Sequence, residues 1–263
     1  MYAVFVDFRK AFDSVCREAL FYKLANQGIS GKLFNTLKHM YTYSTGQIKL
    51  SGHLSKKFGI NKGTEQGHPL SPDFFKMYIN DLSPLLEHEN CPVLINQIVS
   101  HLLWADDLIL LALDPNTLQK QLDSLAQFCS EWGVDINMAK TKLIVFNSKF
   151  NHTIPISFRV CGKLVSEVDS YCYLGIEIHK NGKFTLARNE LKKKAIRSLY
   201  SLKSTINKTH ISFRSLTTLF DILIKPIILY GSPIWTVGSR IRVPDIKQFE
   251  ILCNSGCTRN QAF

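Results

Sequence analysis

With 263 residues, 45% of them apolar and 20% charged, the chain is long enough to bury a sizeable core and too apolar to be disordered. No apolar run approaches the ~20 residues of a membrane span, and MYAVFVDFRK lacks the basic-then-apolar layout of a secretory signal, so a soluble, intracellular protein is expected. The net charge of +11 is uneven: residues 180–263 carry 15 Lys and Arg against 4 Asp and Glu, and residues 1–179 carry 17 of each. Such a basic last third is the footprint of a polyanion-binding segment, with a solvated basic face as the plain alternative.

In chain order, Tyr2 to Val6 is a continuous apolar run that predicts a buried strand ending at Asp7. Helical patterns follow at Cys16 to Asn26, stopped by Gly28, and at Lys32 to Tyr43; Gln47 to Ile60 reads as a hairpin turning near Gly52. In SPDFFKMYINDLSPLL, Ser71 is expected to cap a helix, with Pro72 in its first turn and Phe74, Phe75, Tyr78, Ile79 and Leu82 as its apolar stripe. The same grammar recurs from Asp114 and Pro115 through Leu118, Leu122, Leu125, Cys129 and Trp132, closed by Gly133. Further strands are predicted at Lys142 to Phe146, Ile156 to Val160 and Tyr173 to Ile178. Beyond Lys183 the pattern turns helical, with Leu191, Ala195, Leu199 and Leu202 on one face. These elements predict an α+β domain over residues 1–179 followed by a basic, mainly helical region over 180–263.

Seven scattered cysteines, odd in number, do not read as a disulfide framework, and Cys253 with Cys257 lacks the second ligand pair of a zinc site. The stretch LLWADDLILLA sets Asp106 and Asp107 between two apolar runs. The pair reads either as a plain hairpin turn or as carboxylates at a rigid tip for a divalent cation. Asp7, at the end of another buried strand, favours the second reading, because two-metal phosphoryl transfer needs carboxylates converging from separate strands.

The segments VFVDFRKAFDSV, GTEQGHPLSPDFFKMYINDL, LLWADDLILLA, INMAKTKLIVF and YLGIEI, in that order over residues 4–178, resemble the palm of reverse transcriptases, and most of all those of non-LTR, LINE-type retrotransposons. The later LYGSPIW resembles the C-terminal region of the same group. The resemblance implies a palm of antiparallel sheet and packed helices, followed by a helical thumb. It implies an RNA-directed DNA polymerase that uses two magnesium ions, or manganese, to extend a DNA primer on an RNA template with deoxynucleoside triphosphates.

Residue by residue, the resemblance implies that Asp7 and Asp106 hold metal, with Asp107 supporting them and the backbone carbonyl of Phe8 as a further ligand. Phe12, beside Ala11, would lie beneath the incoming sugar and exclude a 2′-hydroxyl. Gln66 and Gly67 would touch nucleotide and template, Lys140 and Lys142 would lie near the triphosphate, and Tyr173, Leu174 and Gly175 would form the primer grip. Arg188, Lys192, Lys193 and Arg197 on the basic helix would contact template–primer phosphates.

Trp104 stands where that group has Tyr or Phe, and His68 where it often has Cys. The first catalytic strand begins beside Met1, so a fragment without the fingers region is expected. Two other readings remain: a catalytically inactive remnant that only binds nucleic acid, and another palm-type metal enzyme such as a nucleotide cyclase. The last would need neither the Q-G-x-P-L-S-P pattern nor a basic thumb.

Overall fold

The computed structural model describes residues 1–65, 67–146, 157–206 and 212–235. The chain divides into two units, Met1–Asp169 and Ser170–Phe263, so the change of unit falls ahead of Tyr173. Both helices and sheets are present throughout, an α+β fold.

In the first unit the strand Tyr2–Arg9 is the spine of the main sheet, with the order Ser166–Glu167, Lys142–Val145, Tyr2–Arg9, Asp107–Ala112, His101–Trp104. All these pairings are antiparallel except that of Lys142–Val145 with Ser166–Glu167. Tyr2, Val4, Val6 and Phe8 share one core with Phe74, Phe75, Tyr78 and Ile79 of the helix Ser71–Ile79 and Leu118, Leu122 and Leu125 of the helix Pro115–Trp132. Ala3 and Phe5, on the alternate face, are buried as well, which is why the run reads as continuously apolar.

The first strand does not end at Asp7 as the sequence suggests. It runs on to Arg9, with Phe8 and Arg9 paired to Ile136 and Asp135. A charge can sit inside this strand because the polar segment after Ile136 meets it there, as set out below. The helix Ser71–Ile79 also departs from expectation: Leu70 holds the N-cap position, and Ser71, buried in the first turn, donates its hydroxyl to the carbonyl of Glu65. Asp114 does cap its helix, accepting from Thr117 N–H at 3.0 Å, and Gly133 closes it at φ +65°. Within that helix Gln121 is fully buried and donates to the carbonyls of Leu86 and Ser100 at 3.2 and 3.0 Å, tying the helix to the hairpin strand beside it.

In the second unit, Tyr173 to Ile178 is not one strand but the centre of a hairpin, Ser170–Tyr173 against Ile176–His179. Leu174 and Gly175 form its tip with φ +45° and +79°, the signature of a two-residue type I′ turn. The helix Thr185–Ile206 follows, burying Ala187, Leu191 and Ala195 at four-residue intervals. Ala195 and Ile224 are the centre of a small core with Leu199, Leu202 and Phe220. The expected strand Ile156 to Val160 is described only from residue 157, with Arg159–Val160 as strand. Cys253 and Cys257 lie outside the described residues. Among those described, no helix is long and apolar enough to cross a membrane.

Candidate active site

Register fixes the carboxylates. Asp107 begins its strand and stands directly opposite Asp7, while on its other side it pairs with Trp104 across the hairpin. Facing residues in an antiparallel pair have Cα atoms roughly 4.5–5.5 Å apart, so both side chains leave the same face of the sheet. Ala105 and Asp106 make the turn between the strands. Ala105 holds φ +54°, a region that costs a residue with a Cβ about 1–2 kcal/mol. A strained turn beside three carboxylates is the kind of cost that folds carry at functional sites. Trp104 is exposed at the edge of this tip.

The electrostatics are those of a site short of positive charge. Burial, then Asp106 and Asp7, push the Asp107 carboxyl above its usual range, and Lys140 offsets only part of this. Asp7 is held by the segment that follows Ile136. Asn137 Nδ2 donates to Asp7 Oδ2 at 2.9 Å, Lys140 Nζ lies 3.3 Å from Oδ1, and the Asp7 N–H donates to Thr141 Oγ1 at 3.3 Å. Oxygen donors of this kind suit a hard divalent cation, and the uncompensated charge on Asp107 fits one. Even so, no three carboxylate, imidazole or thiol groups among the described residues converge as a ready-made metal centre does. Asp7, Asp106 and Asp107 are nonetheless neighbours: Asp7 stands opposite Asp107, and both Asp106 and Asp7 act on the Asp107 carboxyl, while the two oxygens of Asp7 are engaged by Asn137 and Lys140.

The other expected site residues distribute as follows. Phe8 is buried beside Asp7 in the first strand. Ala11 opens the short helix Ala11–Ser14 and is buried, and Phe12 is half-buried with its ring 5.1 Å from that of Phe75. The Phe12 carbonyl accepts from Thr64 N–H at 2.9 Å, and Gly63 N–H donates to Val15, so the loop leading to Gly67 is fastened to the Phe12 segment. Gly67 is exposed at φ +85° with open space around it, and Gln66 lies outside the described residues. Lys140 reaches Asp7, but Lys142 does not: its Nζ pairs with Ser166 Oγ at 2.8 Å on the neighbouring strand.

In the second unit the Leu174 carbonyl accepts from the Tyr230 hydroxyl at 2.6 Å, and a Cβ on Gly175 would lie 3.3 Å from the Tyr230 ring. Two motifs far apart in sequence, YLG and LYGSPIW, thus meet at the hairpin tip. Tyr230→Phe should cost the hairpin about 1 kcal/mol and speed amide hydrogen exchange at Tyr173 and Ile176, and unchanged exchange would contradict this. On the helix Thr185–Ile206, Arg188 and Lys192 are half-buried beside the apolar stripe, whereas Lys193, paired with Glu190 at 2.7 Å, and Arg197 are exposed on other faces. Helical spacing therefore does not gather the four cations on one face.

Sequence reasoning missed Asn137 and Thr141. Their signal was the spacing Asn-x-x-Lys-Thr at a strand end, where polar residues three and four apart fall on one side of a turn. It also missed Arg17, whose guanidinium, buried on the core side, donates to the carbonyls of Gly63, Tyr41 and Ile60 and to the Ser44 hydroxyl.

Known proteins resemble this chain over most of its length. The chain is 25% identical over 260 residues to the RNA-directed DNA polymerase from mobile element jockey of Drosophila melanogaster, covering 94% of this chain and 27% of that protein. It is 30% identical over 150 residues to a putative transposon-derived protein of Caenorhabditis elegans, covering 55% of this chain and 53% of the relative. It is 25% identical over 187 residues to the Pol polyprotein of type-1 retrotransposable element R2 of Popillia japonica, covering 68% and 31%. The chain thus spans between about a quarter and about half of these relatives. Among solved structures, a telomerase from Candida tropicalis in complex with a fragment of telomeric RNA aligns with 100% of this chain and 47% of its own, at a TM-score of 0.50 and 15% identity, a likeness of fold alone. The family described as reverse transcriptase (RNA-dependent DNA polymerase) matches residues 1–178, and the chain belongs to that family.

Proposed function

We propose that this chain carries the catalytic palm of an RNA-directed DNA polymerase of a non-LTR retrotransposon, extending a DNA primer on an RNA template with deoxynucleoside triphosphates. The observation that supports this most is Asp7 opposite Asp107 on paired strands, with Asp106 in the adjoining turn. Asp7, Asp106 and the Phe8 carbonyl would hold two divalent cations, magnesium or manganese, which when bound supply Lewis acidity to the primer hydroxyl and the triphosphate. Burial, Asp106 and Asp7 disfavour the charged form of Asp107, and a bound cation would relieve that penalty. On this reading the half-buried Phe12, its ring 5.1 Å from that of Phe75, would lie beneath the sugar of an incoming nucleotide and exclude a 2′-hydroxyl. Gln66, Gly67 and Lys142 line the nucleotide's path on this reading, and Tyr173, Leu174 and Gly175 steer the primer end. Such substrates place the work inside the cell, in cytoplasm and nucleus.

Extension of a DNA primer on an RNA template with Mg²⁺ and deoxynucleotides tests the reading. A protein that binds primer–template and never extends it would favour an inactive remnant. Binding itself should depend on the basic helix. Replacing Lys192, Lys193 and Arg197 with Ala should weaken affinity for primer–template about tenfold or more near 100 mM salt and flatten the slope of log affinity against log salt by about two to three. Fluorescence anisotropy across a salt series reads both quantities, and an unchanged slope would remove the helix from the interface.

A further inference from the structure

Asp7 is gripped from one short segment in four ways. Asn137 donates its side-chain amide to Asp7 Oδ2 at 2.9 Å and its N–H to the Asp7 carbonyl at 2.8 Å. Thr141, fully buried, accepts the Asp7 N–H, and Lys140 pairs with Oδ1 at 3.3 Å. The segment is itself folded on Asn137, whose carbonyl accepts from the N–H groups of Lys140 and Thr141 at 3.1 and 2.9 Å. The backbone of Asp7 and one carboxylate oxygen are therefore fixed by neutral partners inside the fold. The second oxygen is paired to an ammonium on a flexible stem that is 66% exposed.

We infer that Lys140 is a resident counter-cation of Asp7 which a divalent cation replaces at Oδ1, while Asn137 holds the other carboxylate oxygen and Thr141 the Asp7 backbone in place through the exchange. The inference rests on the polymerase reading for the presence of a metal at Asp7. Among the described residues, the charged groups placed with that carboxylate are Asp107, opposite it across the strands, Lys140 at Oδ1, and Asp106, which with Asp7 acts on the Asp107 carboxyl. Lys140 is the cation paired with Asp7 Oδ1 beside Asp106 and Asp107 among the described residues, so the ammonium and a metal compete for the same place. Asn137 cannot compete, because its amide carries no charge and leaves Oδ1 open. It is a positioning residue, of the kind whose loss weakens metal affinity without removing a ligand.

The test is Mn²⁺ affinity of the 263-residue chain, read from the paramagnetic resonance signal of free Mn²⁺, so that it is independent of polymerase activity. Lys140→Met should bind Mn²⁺ about two- to fivefold more tightly, the size of an exposed ion pair removed as competitor. Asn137→Ala should bind about tenfold more weakly, and Asp7→Asn should lose the site. If circular dichroism shows that Asn137→Ala fails to fold, Lys140→Met decides alone, its side chain being exposed. Unchanged or weaker binding by Lys140→Met, with Asp7→Asn still losing the site, would overturn the exchange and leave the polymerase reading standing. Mn²⁺ affinity indifferent to Asp7→Asn would overturn both.

Discussion

Primer extension should fall about a thousandfold or more in Asp7→Asn and in Asp106→Asn, whether assayed in the 263-residue chain or in a longer polypeptide that contains it, because each change removes an anionic oxygen proposed to hold a cation at the reacting phosphate. Asp107→Asn should behave differently. Burial, Asp106 and Asp7 raise the carboxyl of Asp107, so its charged form destabilises the fold at neutral pH. The sign follows from linkage: a carboxyl whose folded pKa lies above its unfolded value lends stability as pH falls through the folded pKa, the reverse of an ion-paired aspartate. Asn mimics the protonated state at every pH. Asp107→Asn should therefore unfold at higher denaturant than wild type at pH 7, show a smaller difference at acid pH, and lose activity nonetheless. A variant less stable at pH 7 would contradict the assignment of Asp107 as a charge held against its own fold. Duplex binding should survive all three substitutions. Extension persisting in Asp106→Asn would remove the metal role from the turn.

Much of this was legible because the site is built on strands. A continuous apolar run marks the strand that starts at Tyr2, and an Asp-Asp pair between apolar runs marks a hairpin tip, so the carboxylates could be placed before their register was known. The strand's end was misread because a charge inside an apolar run looks like a terminus. Asp7 stays in the strand because it pairs with Asp107 on one side while Asn137 and Thr141 bond it on the other, and all of these partners lie about a hundred residues or more away. Tyr173 to Ile178 was read as one strand for a related reason. Tyr, Leu and Ile all suit strands, and the turn rests on a leucine at positive φ that propensity does not anticipate, with Gly175 as its one local sign. The lysines of AKTK could not be separated by composition. Only the register sends Lys140 to Asp7 and Lys142 to Ser166.

Arg17→Met should destabilise the first unit by about 3 kcal/mol, because it strips a charged donor from several buried acceptors at once. Arg17 is 8% exposed, and the hydrogen-bond partners of its guanidinium among the described residues are carbonyls and a hydroxyl, with the Glu65 carboxylate acting on it only through its charge. It bonds instead to the carbonyls of Gly63 at 2.8 Å, of Tyr41 and of Ile60, and to the Ser44 hydroxyl at 2.8 Å, with the Tyr41 ring 5.0 Å from the guanidinium carbon. One side chain thus fastens the helix Gly31–Thr42, the strand ending at Gly59 and the loop through Gly63 to the helix Arg17–Asn26. Met matches the volume closely, so the loss isolates hydrogen bonding from packing. Lys at this position should recover little, since an ammonium cannot reach carbonyls spread over three segments in the plane of a fork. The loop through Gly63 leads directly to Gly67, and Gly63 tolerates no side chain: an added Cβ would lie 2.9 Å from the Asp13 backbone. Loosening it should therefore raise the KM for deoxynucleotides in a folded Arg17→Met protein more than it lowers kcat, because the turn proposed to meet the nucleotide is displaced while Asp7 and Asp107 stay on their strands and Asp106 in the turn between them. Urea unfolding measures the first effect and steady-state extension the second. A protein as stable as wild type would show that water or the Ser44 hydroxyl suffices for those carbonyls, and a fall in kcat alone would detach the loop from nucleotide binding.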